Sequence, residues 1–142
     1  MRSYSLSFIT LLLLLPAFSA GCFLNRPQGT IEGRWVRVDD SAAGTILVVK
    51  PEGDFYTGRF EIISGAIAPR FALSDVKWKD LRRVHDGLYR GQDLFKTFEY
   101  GTLNPTYYDV EFRVTGNELR TSFMASIGNI DAEQQRWLRL AE

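Results

Sequence analysis

The sequence contains a single cysteine and a single histidine among 142 residues. Because there is no second cysteine, no intramolecular disulfide can form, which excludes the disulfide-braced inhibitor barrels. One cysteine and one histidine cannot supply the ligands of a zinc tetrahedron, so only carboxylates are left for a hard cation. We therefore expect neither a metal nor a cofactor.

The sequence also lacks a charge bias, since 17 basic side chains balance 17 acidic ones. Binding to nucleic acid depends on cations that neutralise phosphates, so this balance argues against a nucleic acid partner. What the chain does have is apolar bulk, with 45% hydrophobic and 13% aromatic residues. Such a composition predicts a packed core, and the length predicts one domain.

Few residues are suited to catalysis. The only base that titrates near neutrality is His85, which stands beside the Asp86-Gly87 turn. No Gly-x-Ser-x-Gly elbow offers it a nucleophile, so an exposed turn histidine is the simpler interpretation. Asp109 and Glu111 are interpreted as a solvated strand face, and a carboxylate-only glycosidase is the enzyme hypothesis left open. We predict no catalytic residues and a protein that is not an enzyme.

The first 21 residues have the layout of a secretion signal. Arg2 precedes an apolar run from Phe8 to Phe18, and the small residues Ser19, Ala20 and Gly21 follow. As a helix this run would span about 16 Å, well short of the roughly 30 Å hydrocarbon core of a membrane. We therefore predict that residues 1–21 form a cleaved signal helix rather than a permanent membrane span.

The segment Ser19-Ala20-Gly21-Cys22 resembles the lipobox of bacterial lipoproteins. Ala20, Gly21 and Cys22 match the pattern, whereas Ser19 stands where an aliphatic residue is usual. The resemblance implies that Cys22 is lipidated and that residues 22–30 form a tether, with two or more acyl chains supplying a stable membrane anchor. Cleavage to a soluble periplasmic form stays open as the alternative.

Localisation follows from the same resemblance. Phe23 stands after the cysteine, where an Asp would argue for retention in the inner membrane. The resemblance thus implies a lipid-anchored protein of the bacterial cell envelope, with the outer membrane favoured over the inner membrane.

Residues 31–142 are typical of an all-β domain. Turn signals recur every ten to twenty residues and separate segments in which the hydrophobic period is two. In the clearest segment, Tyr107 to Val114, apolar side chains alternate with polar ones. This pattern predicts a sandwich or a barrel. The turn signals are Asp39 to Gly44, Pro51 to Asp54, Ser64 to Pro69, Asp86-Gly87, Asn104-Pro105 and Thr115 to Asn117.

Three antiparallel hairpins are predicted around these turns. They pair 45–50 with 55–63, 76–84 with 88–95, and 107–114 with the segment after Gly116-Asn117. The alternation slips near Asp80 and Leu81, which predicts a bulge there. Asp131 to Leu140 is predicted as one helical turn followed by a strand, with a longer helix as the alternative.

A basic set on the second hairpin has two interpretations. Arg82 and Arg83, with Lys77 and Lys79 nearby, could bind lipid headgroups or polyanions of the envelope. A charged edge strand that resists aggregation explains the same residues more simply.

Gly33-Arg34-Trp35 opens the first predicted strand and resembles the Gly-x-Trp motif of lipocalin-type barrels. The resemblance implies an antiparallel up-and-down β-barrel of about eight strands. It also implies that Gly33 and Trp35 close the barrel together with an arginine of the last strand, either Arg139 or Arg136. The stabilising contact would be a cation–π stack of about 0.5 to 2 kcal/mol.

Two functional hypotheses follow. In the first, the anchored barrel binds a small apolar or amphipathic ligand, as the lipocalin resemblance implies. In the second, the barrel holds no ligand and acts as an envelope protein-protein interaction or inhibitor module. An aromatic-rich core fits both, because the same rings either line a cavity or fill it. The cavity candidates are Trp35, Phe60, Trp78, Phe112 and Phe123.

Overall fold

The computed structural model describes residues 29–124 and 134–141. Within these ranges the chain forms eight β-strands and one short 3-10 turn at Gly65–Ile67. The strands are β1 (Gly33–Val38), β2 (Ile46–Glu52), β3 (Phe55–Ile62), β4 (Val76–His85), β5 (Leu88–Glu99), β6 (Thr102–Thr115), β7 (Glu118–Phe123) and β8 (Arg136–Arg139).

The strands form a closed barrel in which each strand pairs antiparallel with the next. The last strand returns to the first, with Trp35 opposite Arg139 and Val38 opposite Arg136. The predicted all-β, up-and-down barrel of about eight strands is therefore confirmed. Closure gives every strand two neighbours, which removes the exposed sheet edges that promote aggregation.

Alternation along the strands decides which side chains enter the barrel. In β6, Val110, Phe112 and Val114 are buried, whereas Asp109 and Arg113 are exposed. Successive side chains of a strand point to opposite faces, so one face becomes core and the other meets water. The predicted hairpins are present as β2–β3, β4–β5 and β6–β7.

The β4–β5 turn shows why glycine is needed at its second position. Gly87 has φ +73°, in the left-handed region that glycine adopts without strain. A β-carbon there would also lie 2.6 Å from the carbonyl oxygen of Val114. The Gly87 carbonyl in turn accepts a hydrogen bond of 2.7 Å from the Val114 backbone N–H.

Strand β4 carries the predicted bulge. The registers of β4 with both β3 and β5 shift around Asp80, whose φ is +55°. A second shift between β3 and β4 falls at Lys77, because Arg59 pairs with Val76 and Gly58 with Trp78. An extra residue on one strand re-aims the side chains beside it. Lys77 and Trp78, although adjacent, are both buried.

The interpretation of β4 as a charged edge strand is wrong. Because the barrel is closed, β4 pairs with β3 on one side and β5 on the other. Lys77 also does not belong to a basic surface with Arg82 and Arg83, since its side chain is only 2% exposed. Alternation alone would have placed it outside, and the bulge turns its amine inward.

At the C-terminus the structure shows the strand β8 at Arg136–Arg139. Gln134 and Gln135 belong to no helix or strand. The predicted helical turn falls mainly on residues 131–133, which lie outside the described residues, as does the predicted signal and most of the predicted tether.

The up-and-down order gives the barrel two distinct ends. The chain enters β1 at one end, called here the proximal end, which also carries the β2–β3, β4–β5 and β6–β7 turns. The opposite, distal end carries the β1–β2, β3–β4 and β5–β6 connections, the end of β7 and the start of β8. Contacts agree with this division, since Tyr89 of β5 donates a hydrogen bond of 3.1 Å to the Gly29 carbonyl before β1.

Candidate functional site

The barrel core contains four large aromatic side chains, called here the aromatic floor: Trp35, Trp78, Phe112 and Trp137. All four have no exposed surface. The Trp78 ring lies 5.0 Å from Trp137 and 5.1 Å from Phe112, both in edge-to-face geometry. Such pairs add about 0.5 to 1.5 kcal/mol beyond the area they bury. These rings therefore take up much of the interior at this level.

Trp35 is held from several sides. Its indole N–H donates a hydrogen bond of 2.8 Å to the Ile31 carbonyl, and the Arg139 guanidinium lies 4.1 Å from its ring centroid. Arg139 also donates to the carbonyls of Thr30 and Glu32, at 2.5 and 2.6 Å. Gly33 has φ +136°, a conformation that other residues rarely adopt.

Of the two arginines that the sequence offered for this role, Arg139 occupies the position. Arg136 lies on the same strand but forms ion pairs with Glu118, at 2.9 Å, and with Asp39. It contacts no ring in the described structure, whereas Arg139 stacks on Trp35 and ties β8 to the segment before β1. The contact seals the first strand to the last.

The five cavity candidates do not surround one space. Trp35, Trp78 and Phe112 belong to the aromatic floor, and Phe60 is 7% exposed and packs on Phe71 with ring centroids 5.2 Å apart. Phe123 lies toward the distal end, half-buried. It forms the distal aromatic cluster with Phe95 and Tyr108, with centroids 5.1 to 5.9 Å apart.

A buried polar group, the polar waist, lies between the floor and the distal cluster. It consists of Lys77, Asp93 and Gln135. The Lys77 Nζ lies 2.6 Å from the Asp93 Oδ1 and donates a hydrogen bond of 2.6 Å to the Leu94 carbonyl. The amine also lies 4.4 Å from the Phe95 ring centroid. Both members of the ion pair are at most 2% exposed.

Burial acts on the two charged groups in opposite directions. Desolvation lowers the pKa of the Lys77 ammonium, and the nearby charge of Asp93 opposes that shift. Desolvation raises the pKa of the Asp93 carboxyl, against the attraction of Lys77. Each charge is therefore stabilised chiefly by its partner, because water does not reach either group.

Three polar atoms next to the waist have neither a hydrogen-bond partner nor an ion-pair partner among the described residues. They are the indole Nε1 atoms of Trp78 and Trp137 and the Oε1 of Gln135. The Gln135 Nε2, by contrast, donates to Asp93 at 3.4 Å. Leaving a buried donor or acceptor unsatisfied costs about 1 to 3 kcal/mol. These atoms therefore mark a level of the barrel where a water molecule or a polar ligand group would be stabilising.

Sequence reasoning missed the polar waist. The sequence pattern groups Lys77 with surface lysines and does not single out Asp93 or Gln135. No local signal identifies them, since Lys77 directly precedes a core tryptophan and would alternate outward in a regular strand. Only the bulge signal near Asp80 hints that the register of β4 is irregular.

Several grooves lined by described residues lie on the outside of the barrel. One of about 440 Å³ follows β2 and β3 and is lined by Val48, Lys50, Thr57, Arg59 and Glu61. Another of about 600 Å³ lies over the β4 bulge, beside Asp80, Arg82 and Arg90. Of the cavity candidates, only Phe60 borders any of these grooves.

Residues suited to catalysis or metal binding stay apart. His85 is exposed, and its Nδ1 lies 3.0 Å from the carbonyl oxygen of Asp86. Glu111 pairs with Arg113 at 2.6 Å, and Asp109 accepts a hydrogen bond of 3.1 Å from Gln92. Within residues 29–124 and 134–141, no three His, Cys, Asp or Glu side chains cluster as metal ligands.

Cys22, the predicted lipidation site, lies outside the described residues. Within the described part of the chain, no helix has the length and apolar character needed to cross a membrane.

Comparison of the chain with known protein families finds no matching family model, and neither the curated proteins nor the solved structures give a match.

The two arginines of β8 give a matched pair of variants. Arg139→Met should lower the free energy of unfolding by about 1 to 3 kcal/mol, because it removes the stack on Trp35 and hydrogen bonds to two carbonyls. Arg136→Met should cost much less, since it removes solvent-screened ion pairs. Urea unfolding followed by tryptophan fluorescence measures both. Equal losses would show that the stack does not contribute to closure.

The polar waist predicts that substitutions of Lys77 and Asp93 have non-additive effects on the free energy of unfolding. Lys77→Met should cost about 3 to 5 kcal/mol, because it leaves Asp93 buried without a countercharge, and adding Asp93→Leu should recover most of that loss. In Lys77→Met the pKa of Asp93 is higher in the folded state than in the unfolded state. This difference lowers the free energy of unfolding only at pH values above the pKa of the unfolded state. The deficit should therefore shrink as the pH falls from 7 toward about 4.

Urea unfolding of Lys77→Met, Asp93→Leu and the double variant over this pH range measures both effects. Additive losses, or a deficit independent of pH, would contradict a mutually dependent pair.

Proposed function

We propose that the protein is a lipid-anchored interaction module of the bacterial cell envelope, whose solid barrel acts through its surface. The lipobox-like segment ending at Cys22 supports the anchor, because it follows a signal-like apolar run and directly precedes the segment that leads into β1. The outer membrane is the favoured location, on the basis of Phe23. The partner on the other side of the contact is an envelope component.

The aromatic floor carries this proposal. An eight-stranded barrel has an interior just wide enough to be filled by side chains or to hold one small ligand. Here Trp78 packs on both Phe112 and Trp137 within about 5 Å, and none of the three rings is exposed. Side chains thus occupy the level at which a deep ligand would sit, and the surface is left to make contacts.

Three titratable groups, Lys77, Asp93 and His85, are not placed for general acid or base catalysis. The buried ones, Lys77 and Asp93, neutralise each other at 2.6 Å. His85 is exposed in a turn, with a backbone carbonyl as its neighbour. A general acid or base needs a position beside a bound substrate, and none of these three groups borders a described groove.

A small amphipathic ligand at the distal end is the second candidate function. The unpartnered Gln135 Oε1 and the two indole N–H groups favour it, because a polar ligand group could satisfy them. Phe95, Tyr108 and Phe123, half-buried on the distal side, would then contact its apolar part.

The anchor is tested by changing Cys22. Cys22→Ala should move the protein from the membrane fraction to the soluble fraction of its host, or leave it uncleaved with its apolar leader. A second version of Cys22→Ala carries a signal peptide of the ordinary secretory type, which is cleaved without a cysteine. It separates loss of the lipid from retention by an uncleaved leader. Fractionation of both, with the mass of the wild-type N-terminus, measures the effect. An unmodified wild-type cysteine would disprove lipidation.

The solid interior predicts the outcome of native mass spectrometry. Protein purified from its own host should show the acylated chain alone, because the floor leaves no deep space for a ligand. A reproducible additional mass of lipid size would contradict the solid barrel and support the ligand hypothesis. The Phe123→Ser variant locates such a ligand, since it alters the distal cluster and leaves the floor unchanged.

A further inference from the structure

Exposed large apolar side chains are concentrated at one end of the barrel. Of seven such residues in the described structure, six lie on the distal side: Ile62 ends β3, Leu73 follows it, three lie on the β5–β6 hairpin, and Met124 follows β7 beside the groove over the β4 bulge. Only Val84 lies near the proximal end. Concentrated apolar exposure marks an interaction surface. The six residues, called here the distal apolar set, are Ile62, Leu73, Phe98, Tyr100, Leu103 and Met124.

Three members of the distal apolar set lie on a hairpin arm that extends past its neighbours. The β5–β6 ladder continues to Glu99 opposite Thr102. The pairing of β4 with β5 ends at Asp93, and that of β7 with β6 begins at Val110. Residues 95–106 therefore form a two-stranded arm at the distal end.

The tip of the arm is unusually apolar for a solvent-exposed turn. Phe98 and Leu103 are direct partners across the ladder, so their side chains share one face. Phe98 is 65% exposed, and Tyr100, which has φ +50° in the turn, is fully exposed. A two-stranded hairpin is only marginally stable in water, so burying these side chains against another phase would stabilise it.

The charges of the distal end are largely compensated within the protein. Asp40 pairs with Arg37 at 2.6 Å, and Asp75 pairs with Lys96 at 2.5 Å. Glu99 is the only charged residue in 97–106. Paired charges cost less free energy than single charges when they approach a low-dielectric phase. The described residues of the arm contain no cationic cluster that would attract anionic headgroups, which favours a lipid surface without net negative charge.

We propose that the distal end docks on a zwitterionic lipid bilayer, with Phe98, Tyr100 and Leu103 inserted at the interface. Phenylalanine, tyrosine and leucine are residues that partition there. These three residues lie at the tip of one hairpin, where Phe98 and Leu103 share a face and Tyr100 is fully exposed, so a deformable lipid surface can receive them without a preformed cleft.

The position of the predicted tether orients this contact. Six residues separate Cys22 from Gly29, which is bound to Tyr89 at the proximal end. Seven extended steps reach about 24 Å at most. The distal end therefore points away from the lipid that would hold Cys22 and toward a second lipid surface. This orientation rests on the proposed lipidation, whereas the contact of the arm with lipid does not.

Vesicles of phosphatidylcholine test the contact without the anchor. All eight strands lie between Gly33 and Arg139, so residues 23–142 retain the whole closed barrel. Circular dichroism checks that this fragment folds. Flotation with vesicles should recover it with lipid, and Phe98→Ser combined with Leu103→Ser should reduce partitioning roughly tenfold or more. Val84→Ser, at the proximal end, is the matched control and should leave partitioning unchanged.

A fluorescent reporter locates the contact. The native tryptophans Trp35, Trp78 and Trp137 are fully buried, so their emission should not respond to brominated phosphatidylcholine. Tyr100→Trp places an indole at the tip of the arm, and its emission should shift to the blue and be quenched by the brominated lipid. Absence of both responses would overturn the insertion of the arm.

Other outcomes would assign the distal end differently. The wild-type fragment could fail to float with vesicles and instead dimerise in sedimentation experiments. If Phe98→Ser then abolishes the dimer, the distal end binds a second copy of the chain and the lipid proposal is wrong. Binding that needs anionic lipid and is lost in high salt would assign the contact to basic residues such as Arg82 and would also overturn it. Because the fragment lacks Cys22, these results are independent of the lipidation test.

Discussion

The pairing of the last strand with the first is the constraint on which the rest of the structure depends. A barrel exists only if β8 returns to β1, and β8 is a strand of just four residues. Arg139 reinforces that short ladder by stacking on Trp35 and binding the carbonyls of Thr30 and Glu32. Closure fixes the barrel's circumference, which in turn decides whether the interior holds a ligand or only side chains.

Inside the barrel, the large aromatic side chains and the buried polar side chains form separate groups. The aromatic floor lies in the core, and the polar waist places an ion pair where no water reaches it. Replacing a buried pair by apolar residues is often neutral for stability, so the pair itself is weak evidence of stabilisation. Because Lys77 turns inward only where the register of β4 shifts, its pairing with Asp93 favours that one register of an otherwise irregular strand.

The two ends of the barrel are chemically different. At the proximal end, Tyr89 donates a hydrogen bond to the carbonyl of Gly29, which precedes β1. The distal end displays apolar side chains on a projecting hairpin. The described structure therefore differs between its ends: the proximal end is bound to the residues that precede β1, and the distal end exposes apolar side chains.

The sequence by itself determined the all-β class, the three hairpins and the bulge near Asp80, because turn residues and a period of two are local properties of the chain. It also predicts a signal-like leader that ends before Cys22, and this prediction falls outside the described residues. Only the tertiary structure decided that Arg139 rather than Arg136 meets Trp35, that Lys77 is buried, and that Trp78 contacts Phe112 whereas Phe123 contacts Phe95. These outcomes depend on how eight strands register around a closed circle, and register is a relation between residues far apart in the chain, which no local pattern contains.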